Sequence, residues 1–128
     1  MEIEEKRIIS STETGWFNSD GLLHRGNDLP AFVTEQTKIW VINGKTHRDN
    51  DLPAVISVDN DGNLTYEIWY INGKMKRFSK YRPVMIKYLK YGRICWYNFN
   101  GDILTEEEYV EAFQEAFQME QIQKLPKN

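Results

Sequence analysis

Between residues 15 and 104 the hydrophobic positions fall in short runs separated by polar turn residues. "KIWVI" (38–42) and "EIWYI" (67–71) are β-branched and aromatic, and they stop at Asn43-Gly44 and Asn72-Gly73, the dipeptide that most favours a tight hairpin. "DNDG" at 59–62 is a further turn signal joining one unit to the next. The pattern predicts a mainly β fold, an antiparallel β-hairpin repeat meander of about eight short strands. After residue 104 the period changes. Tyr109, Ala112, Phe113, Ala116 and Phe117 recur at helical spacing, behind a capping box formed by Thr105 and Glu108. One C-terminal α-helix over 105–125 is therefore expected to cap the sheet, as the last unit of an array requires. Pro126 supplies its stop.

The repeat is explicit in the residues. "HRGNDLPAFV" (24–33) and "HRDNDLPAVI" (47–56) are nearly identical and lie 23 residues apart. Trp16, Trp40, Trp69 and Trp96 mark the same period at intervals of 24, 29 and 27 residues, so four units span 15–104 and the tryptophans are expected to form a ladder on one face. The whole chain is expected to form a single domain over 1–128, with 1–14 as an N-terminal segment.

The units "IWVINGKTHRDNDLPAVI" (39–56) and "EIWYINGKMKRFSKYRPVMI" (67–86) resemble the tryptophan-tyrosine, Asn-Gly-Lys, His-Arg, Asp, Pro-Ala repeats of phage, giant-virus and some bacterial proteins, a variant of the MORN repeat. "NGDILTEEEY" (100–109) is similar to the ending that closes such arrays. The resemblance covers about residues 15–110. It implies an array of β-hairpins in a viral or phage protein and implies no particular activity. In the third unit Lys76-Arg77 replaces His-Arg and Tyr81-Arg82-Pro83-Val84 replaces Asp-Leu-Pro-Ala, while the fourth unit lacks the motif.

His24 and His47, each followed by an arginine and four positions on by Asp28 or Asp51, have the residue types of a metal or acid–base site. A catalytic set is normally unique, however, and this one is copied in two units and lost in the third. The expected role is structural: Arg25 pairs with Asp28 and Arg48 with Asp51 inside their own loops, the histidines pack on neighbouring units, and Pro30 and Pro53 begin the next strands. Cys95, the only cysteine, excludes an intrachain disulfide and is expected to be a small buried hydrophobe. Phosphate-binding glycine loops, nucleophile elbows and paired-cysteine motifs do not occur. No enzyme, cofactor or metal is expected.

Charge changes the picture. The net −3 conceals twelve acids and six bases in residues 1–67, eight bases and no acid in 68–101, and seven acids and two lysines in 102–128. The basic middle comprises Lys74, Lys76, Arg77, Lys80, Arg82, Lys87, Lys90 and Arg93. It is interleaved with Phe78, Tyr81, Tyr88, Tyr91 and Trp96, a mixture that suits an acidic protein surface or single-stranded nucleic acid. The alternative is a solvated sheet face neutralised by the acidic helix. A negative whole-chain charge, with a pI of about 5.4, and the loss of repeat regularity in the third unit favour a protein partner.

No run approaches the ~18 apolar residues of a membrane span and the N-terminus is too polar for a signal peptide, so a cytoplasmic, unexported protein is expected. The expected function is binding: a viral, phage-type module that engages a host protein, possible roles including inhibition of a defence or metabolic factor. The alternatives are a single-stranded nucleic-acid binder working through 74–96 and a structural, self-assembling repeat protein joined at open strand edges. Oligomeric state is left open.

Overall fold

The computed structural model of the chain describes residues 3–126. Its strands are β1 (Glu5–Ile8), β2 (Thr14–Phe17), β3 (Phe32–Val33), β4 (Thr37–Ile39), β5 (Val41–Ile42), β6 (Lys45–Thr46), β7 (Val55–Val58), β8 (Leu64–Ile68), β9 (Met85–Leu89), β10 (Gly92–Phe99) and β11 (Asp102–Thr105). A single helix, α1 (Glu106–Gln123), follows. Nine strands form one antiparallel sheet in the order β1-β2-β3-β4-β7-β8-β9-β10-β11, and β5 and β6 pair with each other. The architecture is the mainly β meander with a C-terminal helix that the hydrophobic pattern predicts.

Two features differ from the sequence-based expectation in detail. Part of the N-terminal segment is a sheet strand: β1 pairs with β2 and forms one edge, which Glu5, Lys6 and Arg7 keep charged. The Asn-Gly turns of the middle units do not connect neighbours in the main sheet. Asn43 (φ 48°) and Gly44 (φ 79°) both take left-handed backbone and close the two-residue hairpin β5–β6, which leaves the sheet and leads into the His-Arg corner. Asn72-Gly73 does the same around the Ile71–Lys74 bridge. The tight main-sheet connections are instead residues 9–13, 34–36, the Asp59–Asn63 turn and Lys90-Tyr91, with Asn100-Gly101 the one Asn-Gly turn that joins main-sheet neighbours, β10 and β11.

The units are stitched together at small buried residues. Ala31, Ala54 and Val84 are almost wholly inaccessible. Each accepts a backbone bond from a tryptophan N–H, Trp16, Trp40 and Trp69 respectively, at 2.8 Å. Each then donates to the following unit, at Ile39 O, Ile68 O and Trp96 O. Ile39 and Ile68 immediately precede Trp40 and Trp69, so the fourth place in the ladder belongs to Tyr97 and not to Trp96. The one-residue offset puts Trp96 on the other side of the sheet, because side chains alternate along a strand. Tyr97 packs against the cluster of Trp69, Ile86 and Cys95, with Tyr88 beside it.

Thr105 caps α1: its hydroxyl accepts from Glu108 N–H, and the Glu108 carboxylate accepts from Thr105 N–H. Glu106, Glu107 and Glu108 occupy the positive end of the helix dipole. No helix among the described residues is long and apolar enough to cross a membrane.

Candidate functional site

The His-Arg-Asp-Pro corners are joints between units. Arg48 lies flat on Trp40, 3.8 Å from the ring centre, and its Nη1 donates to Pro53 O at 3.1 Å. The rest of its fork does not reach Asp51 of its own loop. Nε and Nη2 bind Asp28 of the preceding unit, at 2.8 and 3.2 Å. Arg77 repeats the arrangement on Trp69, Pro83 O and Asp51, with Nε–Oδ1 at 2.8 Å. The same aspartates offer their backbone carbonyls to the indoles: Trp40 Nε1–H donates to Asp28 O and Trp69 Nε1–H to Asp51 O. This corrects the expected pairing within each loop. Asn27, Asp28, Asn50 and Asp51 all have positive φ, from 56° to 64°, and in this left-handed turn the Asp28 and Asp51 carboxylates face the next unit's arginine.

The histidines serve the same joints. His24, 2% exposed, accepts Asn43 N–H at Nδ1, and His47 accepts Asn72 N–H at Nδ1 while its Nε2–H donates to Asp49. Each ring therefore fixes the next unit's Asn-Gly turn. The two sit in separate corners.

The Arg48 hydrogen bond holds the Asp28 carboxyl below its ordinary pKa of 3.8. A depressed folded pKa stabilises the native state above the unfolded value, and that contribution is lost as pH falls through the folded one. Thermal melts of wild type and Asp28→Asn are accordingly expected to differ most above pH 3.8 and to converge on further acidification. A constant difference down to the most acidic melt would disprove the linkage.

The third corner departs from this plan. Arg77 stands six residues before Pro83, where Arg25 and Arg48 stand five before Pro30 and Pro53. The tight turns align Gly26–Leu29 and Asp49–Leu52 with Ser79–Arg82, so Phe78 is the inserted residue. It has nowhere to pack and is 94% exposed. Tyr81 falls in the aspartate position and Arg82 in the leucine position. With no arginine corner in the fourth unit to meet, Tyr81 sets its ring edge-on against Phe113 of α1, centroids 5.9 Å apart. Tyr109 stacks on Tyr97 at 4.4 Å, and its hydroxyl donates to Lys80 O at 2.9 Å, much as the indoles do in the units before. The helix thus takes the place of a next unit.

Between this corner and α1 lies a groove of about 930 Å³, with Lys74, Lys76, Lys80 and Arg82 on one side and Phe113 and Phe117 on the other. Arg82 lies 3.6 Å from Asp51, while Lys74, Lys76 and Lys80 have no ion pair among the described residues. Glu120 of α1 lines the same groove without forming an ion pair to them.

The rest of the basic middle lies elsewhere. Lys87 pairs in register with Tyr66 and Ile94, pointing from the opposite sheet face to Ile86 and Tyr88. Arg93 lies opposite Tyr88, and Lys90 and Tyr91 form the far turn of the β9–β10 hairpin, about 15 Å from the corner at 3.3 Å per residue. Tyr91 is 89% exposed. Tyr88 donates its hydroxyl to Glu67, and burial together with that carboxylate pushes its pKa up to about 12. It is half-buried and packs against the cluster of Trp69, Ile86 and Cys95. Burial likewise raises the Cys95 thiol pKa, keeping it protonated. The basic middle is therefore one compact surface at 74–82 and a separate hairpin tip. The insertion before Pro83 is the sequence signal that singles out Phe78; the contribution of Phe113 and Phe117 depends on how α1 docks.

Comparison with protein-family models, with curated proteins and with solved structures gives no match.

Proposed function

We propose that this chain is a non-enzymatic binding module that engages an acidic protein through its third corner. The observation that carries this is the conjunction of a solvent-exposed Phe78 with Lys76 and Lys80, which form no ion pair among the described residues, at the one corner where the repeat breaks its own rule. An exposed aromatic ringed by cations favours a partner with an apolar pocket and a carboxylate rim, since charge steers the encounter and the buried ring supplies most of the affinity. The splitting of the basic middle disfavours a continuous track for a single-stranded polyanion, which needs successive rings beside a basic groove. The resemblance to viral and phage MORN-like arrays supports a host protein as that partner, met in the host cytoplasm, with inhibition of a defence or metabolic factor as the outcome.

The test is affinity capture from host lysate treated with nuclease, comparing wild type with Phe78→Ala/Lys80→Glu and with Lys87→Glu/Lys90→Glu. A stoichiometric protein retained by wild type and by the second pair, and lost with the first, is expected. Retention by both pairs would remove the corner from the interface, and loss of the captured material on nuclease treatment would transfer the assignment to nucleic acid.

A further inference from the structure

The first joint of the array is half built. Arg25 lies on Trp16 at 3.8 Å and donates through Nη1 to Pro30 O at 3.2 Å, so its guanidinium is held in the same place as those of Arg48 and Arg77. In those two joints a preceding aspartyl residue fills the remaining donors, its carboxylate on Nε and Nη2 and its backbone carbonyl on the indole N–H of the next unit. The first joint has no such residue among those described. Among the described residues neither the Nε–Nη2 edge of Arg25 nor the Trp16 indole N–H has a hydrogen-bond partner. Trp16 is correspondingly less buried than Trp40 and Trp69.

We propose that Trp16 and Arg25 form a binding site for an aspartyl residue presented on a turn of another polypeptide. The chain itself shows the shape of the occupant twice: an Asn-Asp pair with left-handed backbone, followed by Leu-Pro. A free carboxylate satisfies the arginine fork and leaves the indole N–H unmet, so the site selects a peptide that brings carbonyl and carboxylate from one residue. A second copy of this chain does not supply that Asn-Asp-Leu-Pro turn, because Asp28 and Asp51 are already held by Arg48 and Arg77. Lys6, 5.9 Å from the Trp16 ring, adds positive charge beside the site. Glu4, which accepts from Gly26 N–H, marks its acidic rim.

The probe is a backbone-cyclised peptide containing Asn-Asp-Leu-Pro, titrated into the full chain while the four tryptophan indole N–H signals are followed by NMR, with Trp16→Phe identifying the relevant one. The Trp16 signal is expected to shift saturably while those of Trp40 and Trp69 stay still. Replacing the peptide's Asp by Asn should weaken binding by about tenfold or more, a control that leaves the protein's fold untouched. Arg25→Lys, which keeps the charge and loses the fork, should do the same with the remaining indole signals in place. Acetate alone should leave the Trp16 signal unmoved. An unmoved Trp16 signal at saturating peptide, equal binding of the Asn peptide, or full affinity in Arg25→Lys would each overturn the proposal. Phe78→Ala/Lys80→Glu should not affect the titration, which separates this site from the third corner.

Discussion

Arg48→Ala is expected to destabilise the fold by about 3 kcal/mol, whereas Arg25→Ala costs about 1 kcal/mol, although both remove the same residue from the same repeat position. Both lose a guanidinium stacked on a tryptophan and a bond to a proline carbonyl. Only Arg48 also holds a neighbouring unit, through two bonds to Asp28. Its removal leaves a carboxylate without its donor at the interface, together with an uncovered Trp40. The Asp28 side chain is 51% exposed and can recover water, which keeps the cost below that of breaking a fully buried pair. Arg48→Lys should recover less than half of the loss, because an ammonium cannot lie flat on the indole and bind the carboxylate in a fork at once. Urea unfolding with unchanged slope and shifted midpoint is the measurement. Equal losses at Arg25 and Arg48 would mean that the carboxylate contributes nothing across the joint.

This contrast also shows what the residues alone could and could not disclose. The meander was legible because alternating β-branched runs and Asn-Gly turns act over a few residues, and the helix because Thr105 and Glu108 define its start locally. The repeat located the histidine, arginine, aspartate and proline of the first two corners, and missed Asp49 and the buried Ala31 and Ala54. Its wiring was not legible, since Arg48 is three residues from Asp51 and twenty from Asp28. Sequence distance favours the nearer partner. The left-handed backbone at Asn50-Asp51 turns the nearer carboxylate away, and that is a property of the folded corner. Similarly, Trp96 keeps the spacing of the tryptophan series while the hydrogen-bond register hands its place to Tyr97. A one-residue offset in a strand changes the face, and loose periodicity does not resolve one residue. The charge pattern identified a basic middle but treated 74–96 as one surface; the β9–β10 hairpin divides it by carrying Lys90 and Tyr91 to its far end.

Tyr109→Ala is expected to cost about 2–3 kcal/mol and Tyr109→Phe about 1 kcal/mol, with both effects concentrated at the third corner. The ring is the centre of the helix contact: it stacks on Tyr97, meets Phe99 edge-on and adjoins Phe113, which in turn holds Tyr81. Truncation to alanine removes that packing, whereas phenylalanine retains it and leaves only Lys80 O without its donor. Hydrogen exchange should therefore show faster exchange in α1 and in residues 76–82 for the alanine variant, with β2–β4 and β7 unchanged, because a repeat array couples mainly to its nearest neighbours. Uniform acceleration along the chain would mean that the helix stabilises the whole array and not its last unit. If the effect is local, a binding surface at Phe78 and Lys80 is pre-organised by α1, and Tyr109→Phe should weaken partner binding without unfolding the helix. The joint that closes the array and the surface that meets a partner are then supported by the same tyrosine.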